Sequence, residues 1–372
     1  MKIQRLGQVA ALALVGSIAL AGCGSDDNTG SDAAPAGATA SSAAGCFEGT
    51  LDAEGSSAQK NAFEEAAAGY LEKCPLATVN YNPTGSGAGI KQFIAGQVDF
   101  AGSDSALKTE EKDGVVEADA AAATCGSPAW NIPMVTGPIA IAYNVKGVDK
   151  LVLTPAVAAD IFNGRITTWN DPAIAAVNPG VTLPSTAVKV FFRSDESGTT
   201  ENFTKYLNAA APDTWTAEPA KVWSGKGEGK EKSAGVAEGV KSTDGGITYV
   251  EWSYAKDNQL GIAQVDNGGG AVELTGESVG KALEASSPAG SGNDLRLKLD
   301  YTTKEAGAYP ILLVTYEVVC SKNKDAATGA NIKAFLAHFA SPETQAGLEE
   351  IGYAPLPASV QSQVATAIQA LS

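Results

Sequence analysis

Several chemistries are missing or nearly missing from this 372-residue chain. Histidine occurs once, as His338, inside Ile332-x-x-Phe335-Leu336-x-x-Phe339. That pattern is helical, and His338 falls off its apolar stripe, so it reads as a solvated helix residue and not as a ligand or catalytic base. No Gly-x-x-x-x-Gly-Lys-[Ser/Thr] segment is present, so nucleoside-triphosphate chemistry lacks its usual loop. There is no Cys-x-x-Cys, and no His or carboxylate cluster stands beside the serine-rich loops described below, so neither a metal nor a cofactor is expected. Positive charge is also scarce. The net charge is −16, and loss of residues 1–22, which carry Lys2 and Arg5 but no acid, takes it to −18. That argues against nucleic-acid binding through a basic surface. An anion bound here must be held by local dipoles against an unfavourable global field. Past Arg5 the arginines are Arg165, Arg193 and Arg296 alone.

The N-terminus reads as a targeting segment. Lys2 and Arg5 precede an apolar run, Val9–Leu20, that is too short and too interrupted by Gly and Ser to span a membrane. It ends in Leu20-Ala21-Gly22-Cys23, which resembles the bacterial lipobox, with Cys23 becoming the lipidated first residue after cleavage of residues 1–22. Residues 24–45 contain no Leu, Ile, Val or aromatic residue and read, with Cys23, as a flexible tether. The expected product is an exported chain anchored to the cell membrane through lipid, its folded part beginning near Cys46.

Helical and strand patterns alternate from there. Phe63, Ala66, Ala67, Tyr70 and Leu71 mark an amphipathic helix, Thr78–Asn82 a strand, Ile90, Phe93, Ile94 and Val98 a second helix, and Val98–Ala101 a strand. Longer apolar strands follow at Gly137–Val145, Val188–Arg193, Gly246–Tyr254 and Tyr309–Val319. The order argues for an α/β fold with a largely parallel sheet. Four cysteines remain after Cys23, an even number that in an exported chain favours two disulfides. In a parallel βαβ unit Cys46 and Cys74 are neighbours. If the strands near Met134–Val145 and Tyr309–Val319 pair antiparallel, Cys125 meets Cys320. Other pairings stay open at this level. This arrangement gives a discontinuous domain, 46–137 plus 310–372, with 138–309 inserted, and a cleft between two α/β lobes.

Four loops share one chemistry: Glu54-Gly55-Ser56-Ser57-Ala58, Thr84-Gly85-Ser86-Gly87-Ala88-Gly89, Ala101-Gly102-Ser103-Asp104-Ser105, and Arg193 through Ser197-Gly198-Thr199. Each follows a strand, and three open a helix. Taken singly, these segments are most often turns or helix caps. Four of them at strand ends, where open α/β sheets place ligands, point to an oxyanion site built from hydroxyls, helix starts and one guanidinium.

Tyr81-x-x-x-Gly85-Ser86-Gly87-x-Gly89-Ile90-x-Gln92, Gly102-Ser103-Asp104 and Arg193-Ser194-Asp195-x-Ser197-Gly198-Thr199 together resemble the signature segments of the PstS family, the phosphate-binding lipoproteins of bacterial phosphate ABC transporters. Thr168-Trp169-Asn170-Asp171-Pro172, Gly246-Ile247-x-Tyr249-Val250-Glu251 and Tyr353-Ala354-Pro355-Leu356-Pro357 extend the likeness over about residues 50–365. The resemblance implies a type II periplasmic-binding-protein fold, with two α/β lobes joined by crossover strands and phosphate held between them. By position it implies Ser57, Ser86, Asp104, Arg193, Ser197, Gly198 and Thr199 as ligands, Ala58 through its backbone N–H, and Asp195 as the acidic partner of the arginine. The first loop departs from the family's Gly-x-Thr-Phe-Pro, reading Gly55-Ser56-Ser57-Ala58-Gln59 and losing the aromatic.

Asp104 is a strange group for an anion site unless the ligand carries a proton. Phosphate keeps a P–OH near neutral pH and sulfate has none, so Asp104 selects phosphate. The expected function is capture of inorganic phosphate by a monomeric, lipid-anchored binding protein that delivers it to a membrane permease. Two other readings compete: a phosphatase with Ser86 or Ser197 as nucleophile, and a binding protein or sensor for another oxyanion.

Overall fold

A computed structural model describes residues 45–111 and 114–372. The signal segment 1–22, Cys23 and the tether up to residue 44 lie outside the described residues. Nine strands form the main sheet: β1 (Gly49–Gly55), β2 (Ala77–Asn82), β3 (Phe100–Ser103), β4 (Ala129–Asn144), β5 (Lys189–Arg193), β6 (Glu228–Lys230), β7 (Gly246–Glu251), β8 (Gly261–Ile262) and β9 (Leu312–Cys320). Their order is β2-β1-β3-β9-β4-β7-β5-β6, with β8 also on β4. The principal helices are α1 (Lys60–Lys73), α2 (Ser86–Ile94), α3 (Glu117–Cys125), α4 (Pro155–Phe162), α5 (Gly198–Ala210), α6 (Lys232–Lys241), α7 (Trp252–Asp257), α8 (Ala326–Phe339) and α9 (Ala358–Ala370).

β4 organises the molecule. Its 16 residues are almost continuously buried, as suits a strand covered on both faces. Ala129–Pro138 pair antiparallel with β9, and Ile139–Asn144 pair antiparallel with β7. One strand thus serves two half-sheets, and β9 brings the chain back beside it. The sheet is therefore mixed rather than largely parallel. β1 is parallel to β2 and β3, and β5 to β6 and β7, but the pairs through β4 and β9 are antiparallel, because a chain that leaves one half and returns crosses in opposite senses. The β4–β9 register slips between Thr315 and Tyr316, where Val135 and Pro133 are their partners and Met134 is the extra residue. A bulge there accommodates Pro133, which has no N–H for the ladder, and re-aims the neighbouring side chains.

Two large apolar cores flank the crossing. One packs Phe63, Ala66 and Tyr70 of α1 against Phe335 and Phe339 of α8 and Ile368 of α9; the Phe63 and Phe335 rings stand 5.2 Å apart. The other gathers Ile139–Tyr143 of β4, Phe162 of α4, Phe203 and Leu207 of α5, Trp169, Trp215 and Tyr249. His338 is half-buried instead of solvated: its Nε2 lies 3.1 Å from the Ala66 carbonyl and its ring packs on Tyr70. The run Gly246–Tyr254 is not one strand. It turns helical at Trp252, and Tyr254 and Ala255 are buried side by side on α7. A short apolar run fits either period, and tertiary packing decides.

The disulfides are Cys46–Cys74 and Cys125–Cys320, with Cα atoms 5.3 and 5.4 Å apart. The second joins the end of α3 to the end of β9 across 195 residues of sequence. A cross-link of that span removes much chain entropy from the unfolded state. Replacing Cys125 and Cys320 together by Ser is expected to cost about 2–5 kcal/mol, read as a lower urea midpoint.

Candidate anion-binding site

Asp104 directly follows the buried inner strand β3 and is 3 % exposed. Three elements supply its partners. Ser56, just after β1, donates to Oδ1 at 2.5 Å; Thr315, at the bulge in β9, donates to the same oxygen at 2.8 Å; Ser86, the first residue of α2, donates to Oδ2 at 3.0 Å. Asp104 returns its own N–H to the Ser86 hydroxyl at 3.1 Å. Burial pushes the Asp104 carboxyl up to about 6; the hydroxyls, Ser56 foremost, oppose this, and the charge of Glu251 adds to it. Among the described residues no helix follows Ser103–Ser105 until α3, so Asp104 is not a helix cap.

Arg193 ends β5 and is 2 % exposed. Asp195 grips it with two prongs, Nε to Oδ1 at 2.7 Å and Nη2 to Oδ2 at 2.5 Å. Burial alone would lower the guanidinium pKa, but Asp195, with the charge of Glu251 adding to it, more than offsets this; Arg193 in turn holds the half-buried Asp195 below the usual carboxylate range despite its own desolvation. Nη1 donates to the hydroxyls of Ser233 at 3.1 Å and Thr199 at 3.4 Å, and Thr199 donates its own proton to Glu251. Ser197 caps α5 by accepting the Thr200 N–H at 3.2 Å.

These two walls face each other. A Cβ placed on Gly198 would stand 2.6 Å from both the Ser86 hydroxyl and the Asp104 Cβ, so only glycine permits the approach. The Gly87 N–H meets the Glu196 carbonyl at 3.1 Å, Ser57 meets Ser233 hydroxyl to hydroxyl at 3.0 Å, and Asn202 Nδ2 donates to the Asp104 carbonyl at 2.7 Å. Farther out, Lys91 pairs with Glu196, and buried Glu201 receives Ser105, Lys108 and Lys205. Ser57, Ser86, Asp104, Arg193, Ser197, Gly198 and Thr199 are thus brought to one place, with Asp195 behind Arg193. Ala58 differs: its N–H is taken by Ser56 Oγ at 3.0 Å.

Sequence reasoning missed Ser56 as a partner of Asp104, although it stood in a loop already singled out. It missed Thr315, Glu251 and Glu317, which are single polar residues inside apolar strands, and Ser233, which no local signal marks. Glu317 on β9 is fully buried, and neither carboxyl oxygen has a hydrogen-bond partner among the described residues. Burial pushes it up to about 8; nearby Gln59 offsets part of this, and Asp104 adds to it. Asp104 and Glu317 therefore each bind a proton more tightly in the folded chain than in the unfolded one. Their contribution to stability is full below pH 4 and is lost as pH rises through 6 and then 8. Glu317→Gln is expected to flatten the decline in thermal midpoint between pH 5 and 8, checked by calorimetric melts of the ligand-free protein across that range.

Two α/β halves on a shared crossing strand, with polar loops of both halves converging between them, define a solute-binding protein of two lobes. A family profile described as a PBP superfamily domain matches residues 33–343. The chain is 44 % identical to phosphate-binding protein PstS2 of Mycobacterium bovis strain BCG and 42 % identical to phosphate-binding protein PstS 3 of Mycobacterium tuberculosis strain H37Rv, each over the whole of both chains. The chain belongs to the PBP superfamily and, within it, to the PstS family of phosphate-binding proteins. Among solved structures, a phosphate-binding protein from Stenotrophomonas maltophilia aligns at TM-score 0.67 and 21 % identity, covering 86 % of this chain and 94 % of that one. A putative phosphate ABC transporter substrate-binding protein from Clostridium perfringens, solved with bound phosphate, aligns at TM-score 0.59 and 18 % identity over 83 % and 100 %. At these identities the structures establish the two-lobed fold.

Proposed function

We propose that this protein captures inorganic phosphate outside the cell membrane and delivers it to the permease of an ABC transporter. The observation that carries the reading is Asp104: a buried carboxyl, ringed by three hydroxyl donors, facing an arginine already neutralised by Asp195. Such a site repels a bare anion and accepts one that brings a proton. A P–OH donates to Asp104, while the remaining phosphate oxygens take the Arg193 guanidinium, the hydroxyls of Ser57 and Ser197, those of Ser86 and Thr199 once their protons swing away from Asp104 and Glu251, and the backbone N–H groups of Gly198 and its neighbours at the α5 start. The helix start adds partial positive charge where formal positive charge is scarce. Relatives named as phosphate-binding proteins across the full chain support this reading.

In the same reading, residues 46–137 plus 310–372 and residues 138–309 are lobes that shut on the ion, β4 and β9 being the crossing strands. Lipid on Cys23 holds the chain, as a monomer, near the permease. In this reading the site binds and does no chemistry: the chain's one histidine, His338 on α8, packs against α1 and is not beside these serines.

Titration calorimetry is expected to show phosphate binding with sulfate ignored. Asp104→Asn, which leaves a neutral amide where the acceptor stood, is expected to narrow the preference for phosphate over sulfate by at least about tenfold. An unchanged ratio would overturn the role of Asp104, and turnover of a phosphomonoester abolished by Ser197→Ala would replace binding with catalysis.

A further inference from the structure

The start of α6 reaches the site from a side that none of the four loops covers. Lys232, its first residue, has φ of 62°, in the left-handed region that a side chain like lysine rarely adopts. Surroundings must hold such a residue in place. Here the Lys232 N–H donates to Asp195 Oδ1 at 3.0 Å, the same oxygen that takes Arg193 Nε. The next residue, Ser233, is fully buried. Its hydroxyl accepts from Arg193 Nη1 at 3.1 Å and meets the Ser57 hydroxyl at 3.0 Å, while its N–H, one of the unpaired donors of a helix start, points to Ser57 Oγ at 3.3 Å.

The proton count of this trio settles what it offers a ligand. Arg193 can only donate, so the Ser233 oxygen is an acceptor toward it. The Ser57 oxygen is already an acceptor toward the Ser233 N–H. Between the two hydroxyls one proton is used in their mutual bond, whichever of them gives it. One hydroxyl proton is left over, and no hydrogen bond among the described residues takes it. Both oxygens are loaded with incoming donors, so what the pair turns toward a third partner is a donor. The chain of bonds begins at a guanidinium, which polarises every O–H after it in the same sense.

We infer that Ser233 is a positioning residue of the anion site: with Ser57 it forms one donor unit, anchored on Arg193, that spans the two halves and presents a single polarised O–H to a bound oxyanion. The inference rests on the phosphate reading above and deepens it. Ser57, from the first loop, is not an independent ligand; its proton is directed by a residue 176 positions away on the other half. This contact also closes the site, because the unit is complete only when the halves meet.

The test is phosphate titration of the full chain and of Ser233→Ala, Ser57→Ala, the double variant and Ser233→Thr. Ser233→Ala is expected to bind phosphate about tenfold to a hundredfold more weakly. The double variant is expected to lose clearly less than the two single losses combined, since either change dismantles the unit. Ser233→Thr, which keeps the hydroxyl, is expected to bind within about twofold of the unsubstituted chain. Unchanged affinity in Ser233→Ala, additive losses, or failure of Thr to restore binding would overturn the inference while leaving phosphate binding intact. Absence of phosphate binding by the unsubstituted chain would overturn the underlying reading and the inference with it.

Discussion

A carboxyl buried opposite an already neutralised arginine is the constraint on which this site depends. Arg193 and Asp195 cancel at close range, and the local balance is left with Asp104 and Glu251. An anion entering such a place meets like charge in a dry environment, where repulsion is poorly screened. Two things offset it. Neutral donors converge: hydroxyls and the N–H groups of helix starts, which attract an oxyanion without adding formal charge. In the proposed function the ligand also brings a proton of its own, which turns Asp104 from a penalty into an acceptor. On that reading affinity and selectivity come from one arrangement, and a protein with a net charge of −16 needs no basic surface to hold an anion.

The fold makes that arrangement by crossing once and returning. β4 and β9 carry the chain between two half-sheets, and the loops at their strand ends are thereby aimed at each other. β3 and β5 deliver Asp104 and Arg193 from opposite halves; α2 and α5 begin where they meet; Gly198 lets the backbones come within reach of a side-chain oxygen. The slip between Thr315 and Tyr316 turns a strand residue into a ligand of Asp104. The Cys125–Cys320 bond ties the outer end of this crossing, away from the site, and leaves the meeting of the halves to hydrogen bonds.

Residues of one kind at strand ends were legible in the chain, because Gly, Ser and Thr before a helical period have few other uses in combination. The two cysteine pairs favoured by an assumed strand order, with other pairings left open, are the observed bonds. The strand at Val188–Arg193 and the helix that opens at Ser197-Gly198 stand where the pattern put them. What escaped was set by tertiary packing. Thr315, Glu251 and Glu317 are lone polar residues in apolar runs, and nothing local separates a buried acid from a solvated one. Ser233 reaches the site only because a left-handed Lys232 turns the start of α6 inward. The change from strand to helix at Trp252 was hidden for the same reason, an apolar run too short to show its period. The family resemblance carried the expected ligands over by position, but it did not show that the Ala58 N–H is spent on Ser56.

The central claim concerns one proton, and neutron diffraction from deuterated crystals of the phosphate complex reads it directly. The account places a deuteron in the contact between a phosphate oxygen and an Asp104 carboxyl oxygen, while the phosphate oxygens facing Arg193 carry none. A bare phosphate oxygen turned toward Asp104, or phosphate held clear of that carboxyl altogether, would contradict it.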